Sequence, residues 1–244
     1  MVVTGASAGI GAALAAEVAR RGGEVVLAAR RQEKLEEVAR TLPRACAVVA
    51  ADVTRRDDVA RVVSTALERF RKVDVWVNNA GRGISRSVAD LTDEDLDAMF
   101  RDNVKSAVYG MQAILPHFQQ RRRGHIVNVS SMLARIPFAS FRSAYSAAKH
   151  ALNSLTENLR QDLAKDYPDI RVTTVMPGVV YTDFGLHALG GGVDSRHIPG
   201  GQAPEQVAAI LADVIETRRG GDVYTRPDAV ERVVQYLRDL AADR

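Results

Sequence analysis

Thr4-Gly5-Ala6-Ser7-Ala8-Gly9-Ile10-Gly11 is the stretch on which the reading of the fold turns. It joins a short β-branched run, Val2-Val3, to a segment of helical period that begins at about residue 9. Glycine at such a junction lets the backbone turn sharply and lets a pyrophosphate approach the main chain without meeting a Cβ. The start of the helix then offers free N–H groups and a partial positive charge to the anion. A plain tight turn would also use glycine, so the repeat alone is a weak signal. Its place between a first strand and a first helix makes it a phosphate cradle, with Gly5, Ser7, Gly9, Ile10 and Gly11 as candidate contacts. The spacing Gly-x-x-x-Gly-x-Gly differs from the Gly-x-Gly-x-x-Gly of other dinucleotide folds.

Outward from the cradle, candidate strands at 2–3, 24–28, 47–51, 73–77, 125–129, 171–176 and, more weakly, 222–225 alternate with helical stretches. The helices are read near 9–21, 31–41, 55–70, 93–120, 144–166, 204–217 and 227–241. Short continuous apolar runs joined by helices are the pattern of parallel strands buried on both faces. Such crossovers are right-handed. The expected fold is therefore one Rossmann-type α/β domain over residues 1–244, a doubly wound parallel sheet of about seven strands. A glycine-rich stretch near 184–201 has no clear period and reads as a substrate lid or a disordered segment. Strands usually run about five residues, and this first one is shorter. That predicts a segment upstream of Met1, which the mass of the mature N-terminus would reveal.

Composition narrows the function classes. A chain of 244 residues buries about three quarters of its unfolded surface, enough for a core without disulfides or metal. Net charge is only +3, and Arg121-Arg122-Arg123 beside Gly124 reads as a solvated loop edge rather than a nucleic-acid patch. The single cysteine, Cys46, excludes an internal disulfide or a cysteine-rich zinc site; its apolar surroundings suggest a buried thiol. The five histidines lack zinc-site spacing, so no metal is expected. Without a signal-peptide core or a long apolar span, the expectation is a cytoplasmic protein not bound to membrane.

With its cradle written Thr-Gly-x-x-x-Gly-x-Gly, the chain resembles the short-chain dehydrogenase/reductase family, and further motifs extend the resemblance over nearly its whole length. After the second strand, where NAD-preferring relatives carry Asp, stands Ala29, followed by Arg30 and Arg31. A guanidinium there accommodates a 2′-phosphate that a carboxylate would repel. Arg30 with Ser7 therefore favours NADP(H) over NAD(H), although both arginines would also suit a solvated strand end. Asp52-Val53 matches the family's adenine contact, and Asp52 would equally suit a helix cap. Asn78-Asn79-Ala80-Gly81 resembles the tetrad that steadies the sheet and lines the cofactor cleft. Met176-Pro177-Gly178-Val179-Val180-Tyr181-Thr182 resembles the Pro-Gly segment. There the resemblance implies that the Val180 backbone binds the carboxamide, that Thr182 contacts carboxamide or phosphate, and that the pro-S hydride is transferred.

Tyr145 and Lys149, at i and i+4, lie on one helical face. A phenol with a pKa of about 10 is a poor base at neutral pH. An adjacent ammonium, with the positive ring of the oxidised cofactor, favours the phenolate. Ser131, fourteen residues upstream of Tyr145, is placed to stabilise charge on the substrate oxygen, with Ser130 as the alternative. The family's interval is usually about thirteen, so one residue is extra here. Asn103 sits mid-helix, where Asn is a poor helix former. The resemblance implies that it holds a water linking Lys149 to solvent; a solvent-facing Asn is the plainer reading.

These motifs imply hydride transfer between a nicotinamide and a carbonyl or secondary alcohol. A catalytically silent dinucleotide sensor of the same fold is the alternative, against which the intact Asn103, Ser131, Tyr145 and Lys149 count. Relatives that epimerise or dehydrate generally carry a longer C-terminal region than the about 60 residues that follow Thr182. Leu133, Ile136, Phe138, Phe141, Phe184 and Leu186 suggest an apolar substrate pocket. By analogy with relatives, a homodimer or homotetramer would form through the helices near 93–120 and 144–166.

Overall fold

Seven parallel strands are hydrogen-bonded into one sheet: β1 (Val2–Thr4), β2 (Val25–Ala29), β3 (Cys46–Ala50), β4 (Val75–Asn78), β5 (Gly124–Val129), β6 (Ile170–Met176) and β7 (Gly221–Tyr224). Their spatial order is β3-β2-β1-β4-β5-β6-β7. The structure, a computed structural model, describes residues 1–242. Eight α-helices connect or follow the strands: α1 (Gly9–Arg20), α2 (Gln32–Thr41), α3 (Arg56–Phe70), α4 (Asp93–Phe100), α5 (Ser106–Arg121), α6 (Ser143–Ala164), α7 (Pro204–Glu216) and α8 (Ala229–Ala242). The doubly wound parallel sheet expected from the sequence is present, and strand ends differ from expectation by a residue or two.

Continuous apolar strands follow from burial on both faces. Val25 and Leu27 point into a layer with Leu14 of α1, Leu35 of α2 and Leu211 of α7. Their neighbours Val26 and Ala28 point the other way, towards Val59 of α3, Ile114 and Phe118 of α5 and Leu163 of α6. Order reverses between β1 and β4: the chain proceeds from β1 to one side and returns to begin the other half at β4. Ligand crevices in such sheets open at the carboxyl ends of the strands at this reversal.

Polar groups also cross the core. The Trp76 indole donates to Asn78 Oδ1 at 2.7 Å, and Asn78 Nδ2 donates to Asn128 Oδ1 at 2.8 Å. Asn128 Nδ2 in turn donates to the Thr156 hydroxyl at 2.8 Å. This chain links β4, β5 and α6, and satisfied networks of this kind specify one packing. α5 lies close enough to join it because residue 110 is glycine. A Cβ there would stand 2.2 Å from Asn78 Oδ1 and 2.5 Å from Trp76 Nε1.

The helix expected over 93–120 is not uniform. A π-turn, Arg101–Lys105, separates α4 from α5, and π-turns often mark functional positions. Asn103 lies in this turn and is buried, so the solvent-facing reading fails. Gly110→Ala tests the close approach of α5. In an unconstrained helix the change would gain about 1 kcal/mol. Here overpacking should reverse the sign, with a loss of roughly 1–3 kcal/mol in urea unfolding. A gain would show that the helix has room.

Candidate active site

One cleft of about 970 Å³ follows the carboxyl ends of β1 to β6. At its phosphate end Gly5 takes φ +65° and Gly9 φ +54°, conformations that L side chains rarely adopt. A Cβ on Gly5 would come within 2.9 Å of Ala80 Cα, and one on Gly9 within 3.1 Å of Thr182 Cγ2. Thr4 locks this turn to the next half of the sheet: its hydroxyl accepts from the N–H groups of Asn79 at 3.0 Å and Ala80 at 3.2 Å. Asn79 Nδ2 returns a bond to Thr4 O at 2.9 Å. The start of α1 has no side-chain cap and no acid in its first turn, so its field is left for an anion.

Gly5, Ser7, Gly9, Ile10, Arg30, Asp52, Val53, Asn79, Ala80, Gly81, Pro177, Gly178, Val180 and Thr182 all line the cleft. Gly11 does not. It is buried, and a Cβ there would lie 2.4 Å from Gly5 O and 2.6 Å from Asn79 Nδ2. Packing beneath the turn by itself requires glycine here. Arg30 and Arg31 are exposed where the cleft passes the end of β2, and Arg31 donates to Ser7 Oγ at 3.4 Å. Asp52 is not the α3 cap. Its carboxylate accepts from Thr54 N–H at 3.0 Å and the Thr54 hydroxyl at 2.7 Å, while Asp58 reaches back to Asp52 N–H at 2.8 Å.

At the far end Tyr145, Lys149 and Ser131 come together, all lining the cleft. Ser131, and not Ser130, acts on the acidity of the Tyr145 phenol; its hydroxyl accepts from Leu133 N–H at 3.2 Å. Lys149 Nζ lies 5.7 Å from the Tyr145 ring centroid and donates to Val129 O at 3.0 Å. Burial dominates both pKa values. It pushes the phenol up to about 12, with Ser131 and the Arg142 charge acting in the opposite direction. It pushes the ammonium down to about 8. The expectation joins the Lys149 ammonium with the positive ring of an oxidised cofactor; within the chain itself, burial outweighs the Arg142 charge on the phenol.

Asn103 does not line the cleft, and its side-chain amide is committed to the backbone. Nδ2 donates to Arg82 O at 2.9 Å and Met99 O at 3.0 Å, and Oδ1 accepts from Arg82 N–H at 3.2 Å. A Cβ on Gly81 would meet Asn103 Oδ1 at 2.7 Å and Lys149 Nζ at 3.5 Å. Residue 81 must therefore be small for the asparagine and the lysine to stand as neighbours.

The substrate end is walled by Leu133, Phe138, Phe141, Phe184 and Leu186, whereas Ile136 instead packs with Met132 and Ala229. The Phe184 ring lies 5.6 Å from that of Tyr145. The 184–201 stretch is tied to the body through Leu189, whose N–H donates to Gly83 O at 2.9 Å. Among the described residues no cluster of His, Cys, Asp or Glu suits a metal ion, and no helix is long and apolar enough to cross a membrane.

Lys149 is a charge held in a dry place, 3% exposed. Its folded pKa of about 8 lies below the ordinary 10.5, so between these values the unfolded chain binds more protons and stability rises with pH. Lys149→Met should therefore stabilise the ligand-free protein at pH 7 by up to about 3 kcal/mol. The gain should shrink as pH rises from about 8 towards 10.5, as thermal melts across that range would record. A pH-independent difference would contradict the assignment.

The short chain dehydrogenase family model matches residues 1–188. An uncharacterised oxidoreductase of Staphylococcus epidermidis is 34% identical over 190 residues, covering 75% of this chain and 81% of the relative. Among solved structures, the 3-ketoacyl-(acyl-carrier-protein) reductase of Brucella melitensis complexed with NADH superposes with a TM-score of 0.82 at 29% identity, covering 91% of this chain and 94% of that one. The alcohol dehydrogenase of the archaeon Thermococcus sibiricus, complexed with 5-hydroxy-NADP, superposes with a TM-score of 0.79 at 26% identity, covering 91% and 94%. With the glycine cradle, the sheet order and the Ser131–Tyr145–Lys149 cluster in one cleft, the chain belongs to the short-chain dehydrogenase/reductase family of oxidoreductases.

Proposed function

We propose that this protein is an NADP(H)-dependent oxidoreductase that interconverts a carbonyl and a secondary alcohol, with Tyr145 as the general acid and base. The observation that carries the reading is the meeting of Ser131, Tyr145 and Lys149 in the cleft that the glycine cradle also lines, with Lys149 Nζ 5.7 Å from the Tyr145 ring centroid. A dinucleotide suits this cleft because a side chain at Gly5 or Gly9 would fill the approach to the uncapped α1 terminus. When bound, it supplies or accepts the hydride.

Gly5, Ser7, Gly9 and Ile10 would hold the diphosphate, and Thr182, packed on Gly9, belongs with the phosphates more than with the carboxamide. The Val180 segment pairs with Gln202 through the neighbouring backbone groups of Val179 and Tyr181, and the Val180 carbonyl accepts from the Thr182 hydroxyl at 3.4 Å, which leaves the Val180 N–H for the carboxamide. Arg30 and Arg31 with Ser7 would chelate a 2′-phosphate, and Ala29 presents no carboxylate against it. Asp52 and Val53 would flank the adenine.

In reduction, Tyr145 donates its proton to the carbonyl oxygen while the Ser131 hydroxyl stabilises the charge that develops there. A phenol pushed up by burial stays protonated for this at neutral pH. In oxidation, the same phenol must be made more acidic, and Lys149 and Arg142 supply positive charge for that. Asn103 is a positioning residue that holds the Arg82 backbone beside Lys149. Apolar side chains exposed on α4 and α6, Leu96, Phe100 and Leu155, support a homo-oligomer built through these helices.

Assays with NADPH and NADH on a carbonyl panel test the reading. Tyr145→Phe should abolish turnover and leave NADPH binding nearly intact; an active variant would refute the acid–base role. Ser131→Ala should lower kcat by roughly 100- to 1,000-fold. Arg30→Ala should weaken NADPH binding at least about tenfold more than NADH binding. Equal losses would exclude a 2′-phosphate contact.

A further inference from the structure

Arg142 lines the substrate end of the cleft and is 7% exposed. It is buried without an acidic partner. Tyr145 is the one titratable group that acts on it, and burial pulls its pKa down. Carboxylates nearby are engaged elsewhere: Asp95 with Arg86 at 2.7 Å, Asp102 with Arg101 at 3.0 Å, and Asp183 with His187 at 3.1 Å. Arg82, the other arginine at this end, points to His187 O at 3.2 Å. One Arg142 N–H donates to Ile84 O at 3.1 Å, which leaves most of its five donors without that use.

The position compounds the charge. Arg142 is the N-cap of α6, a 22-residue helix with no side-chain cap and no acid in its first turn. A helix start carries partial positive charge and favours anions, so a cation here is at the wrong end. Burying an unpaired charge is strongly unfavourable unless something completes it. Both fields ask for an anion at this point of the cleft.

We propose that Arg142 binds the carboxylate of the substrate, so that the carbonyl compound turned over here is a short oxo acid, and the alcohol a hydroxy acid. This rests on the assignment of Tyr145 as the acid–base group. Arg142, at the N-cap of α6, stands three residues before Tyr145 and lines the same cleft, so a carboxylate on one sits a few bonds from a carbonyl on the other. The carboxylate is unchanged in the reaction: hydride goes to the carbonyl carbon from the reduced nicotinamide, and the phenol proton goes to the oxygen. The planar guanidinium fork matches a carboxylate bidentately. Phe138, Phe141, Phe184 and Leu186 then pack on the hydrocarbon portion, so the wholly apolar pocket read from the sequence becomes an apolar pocket with one fixed cation.

Matched straight-chain oxo acids and their methyl esters, assayed with NADPH, decide the matter. Wild type should prefer acid to ester by roughly 10- to 100-fold in kcat/KM, the range of a hydrogen-bonded charge. Arg142→Gln should collapse that ratio towards one, chiefly through KM, and Arg142→Lys should restore part of it. A wild type that reduces esters as well as acids overturns the proposal while leaving the oxidoreductase reading intact. So does an Arg142→Gln variant that keeps the acid preference. Should no carbonyl be turned over, calorimetry with short saturated carboxylic acids in the presence of NADP decides separately. Binding by wild type and Arg142→Lys but not by Arg142→Gln supports the carboxylate site even as the proposed reaction fails, and absence of binding by wild type overturns it. Because the wild-type ratio stands alone, misfolding of a variant cannot rescue the proposal.

Discussion

The approach of the Gly5 turn to Ala80, where an added Cβ would stand 2.9 Å from the neighbouring Cα, is the constraint on which the rest of the molecule depends. It brings the ends of β1 and β4 together at the reversal of strand order, and Thr4 and Asn79 tie the two loops by reciprocal hydrogen bonds. Gly11 extends the same requirement one layer down, since only a residue without Cβ allows α1 to seat against Gly5 O and Asn79. Loosening this junction would move the helix start, and with it the field that an anion would meet.

Electrostatics in the cleft are set by the cost of keeping polar groups dry. Tyr145, Lys149 and Arg142 all lie within one or two turns of α6 and are all buried. Burial holds the phenol neutral and weakens both cations. None of this favours the folded state of the ligand-free chain. Groups perturbed by burial in this way cluster at functional sites. The polar network from Trp76 through Asn78 and Asn128 to Thr156, further along α6, is the counterweight. Fully paired, it fixes α5 and α6 to β4 and β5 and so fixes where the α6 side chains stand.

Much of the site was legible from residue order. The glycine spacing, the Tyr-x-x-x-Lys interval and the Ser-Ser pair at a strand end each marked residues that the fold gathers into one cleft. What stayed hidden had physical causes. Gly11 reads like Gly9 in one dimension, yet one supports helix packing and the other faces the cleft. Arg31 and Arg30 are adjacent, and only the direction of a side chain decides which meets Ser7. Arg142 carries no motif at all. Its one sequence signal was a cation standing just before a long helix, where an acid or a hydroxyl is the usual choice.

Short continuous apolar runs and the helical stretches between them determined the doubly wound sheet, because a strand buried on both faces is apolar on both. The identity of the candidate side chains also belonged to the sequence alone, since phenol, ammonium and hydroxyl carry their chemistry in their composition. Tertiary structure alone decided the strength and sign of that chemistry. Desolvation and the nearest unpaired charge depend on what chain folding brings within a few ångströms, and no spacing along a strand or helix encodes how much water is left behind.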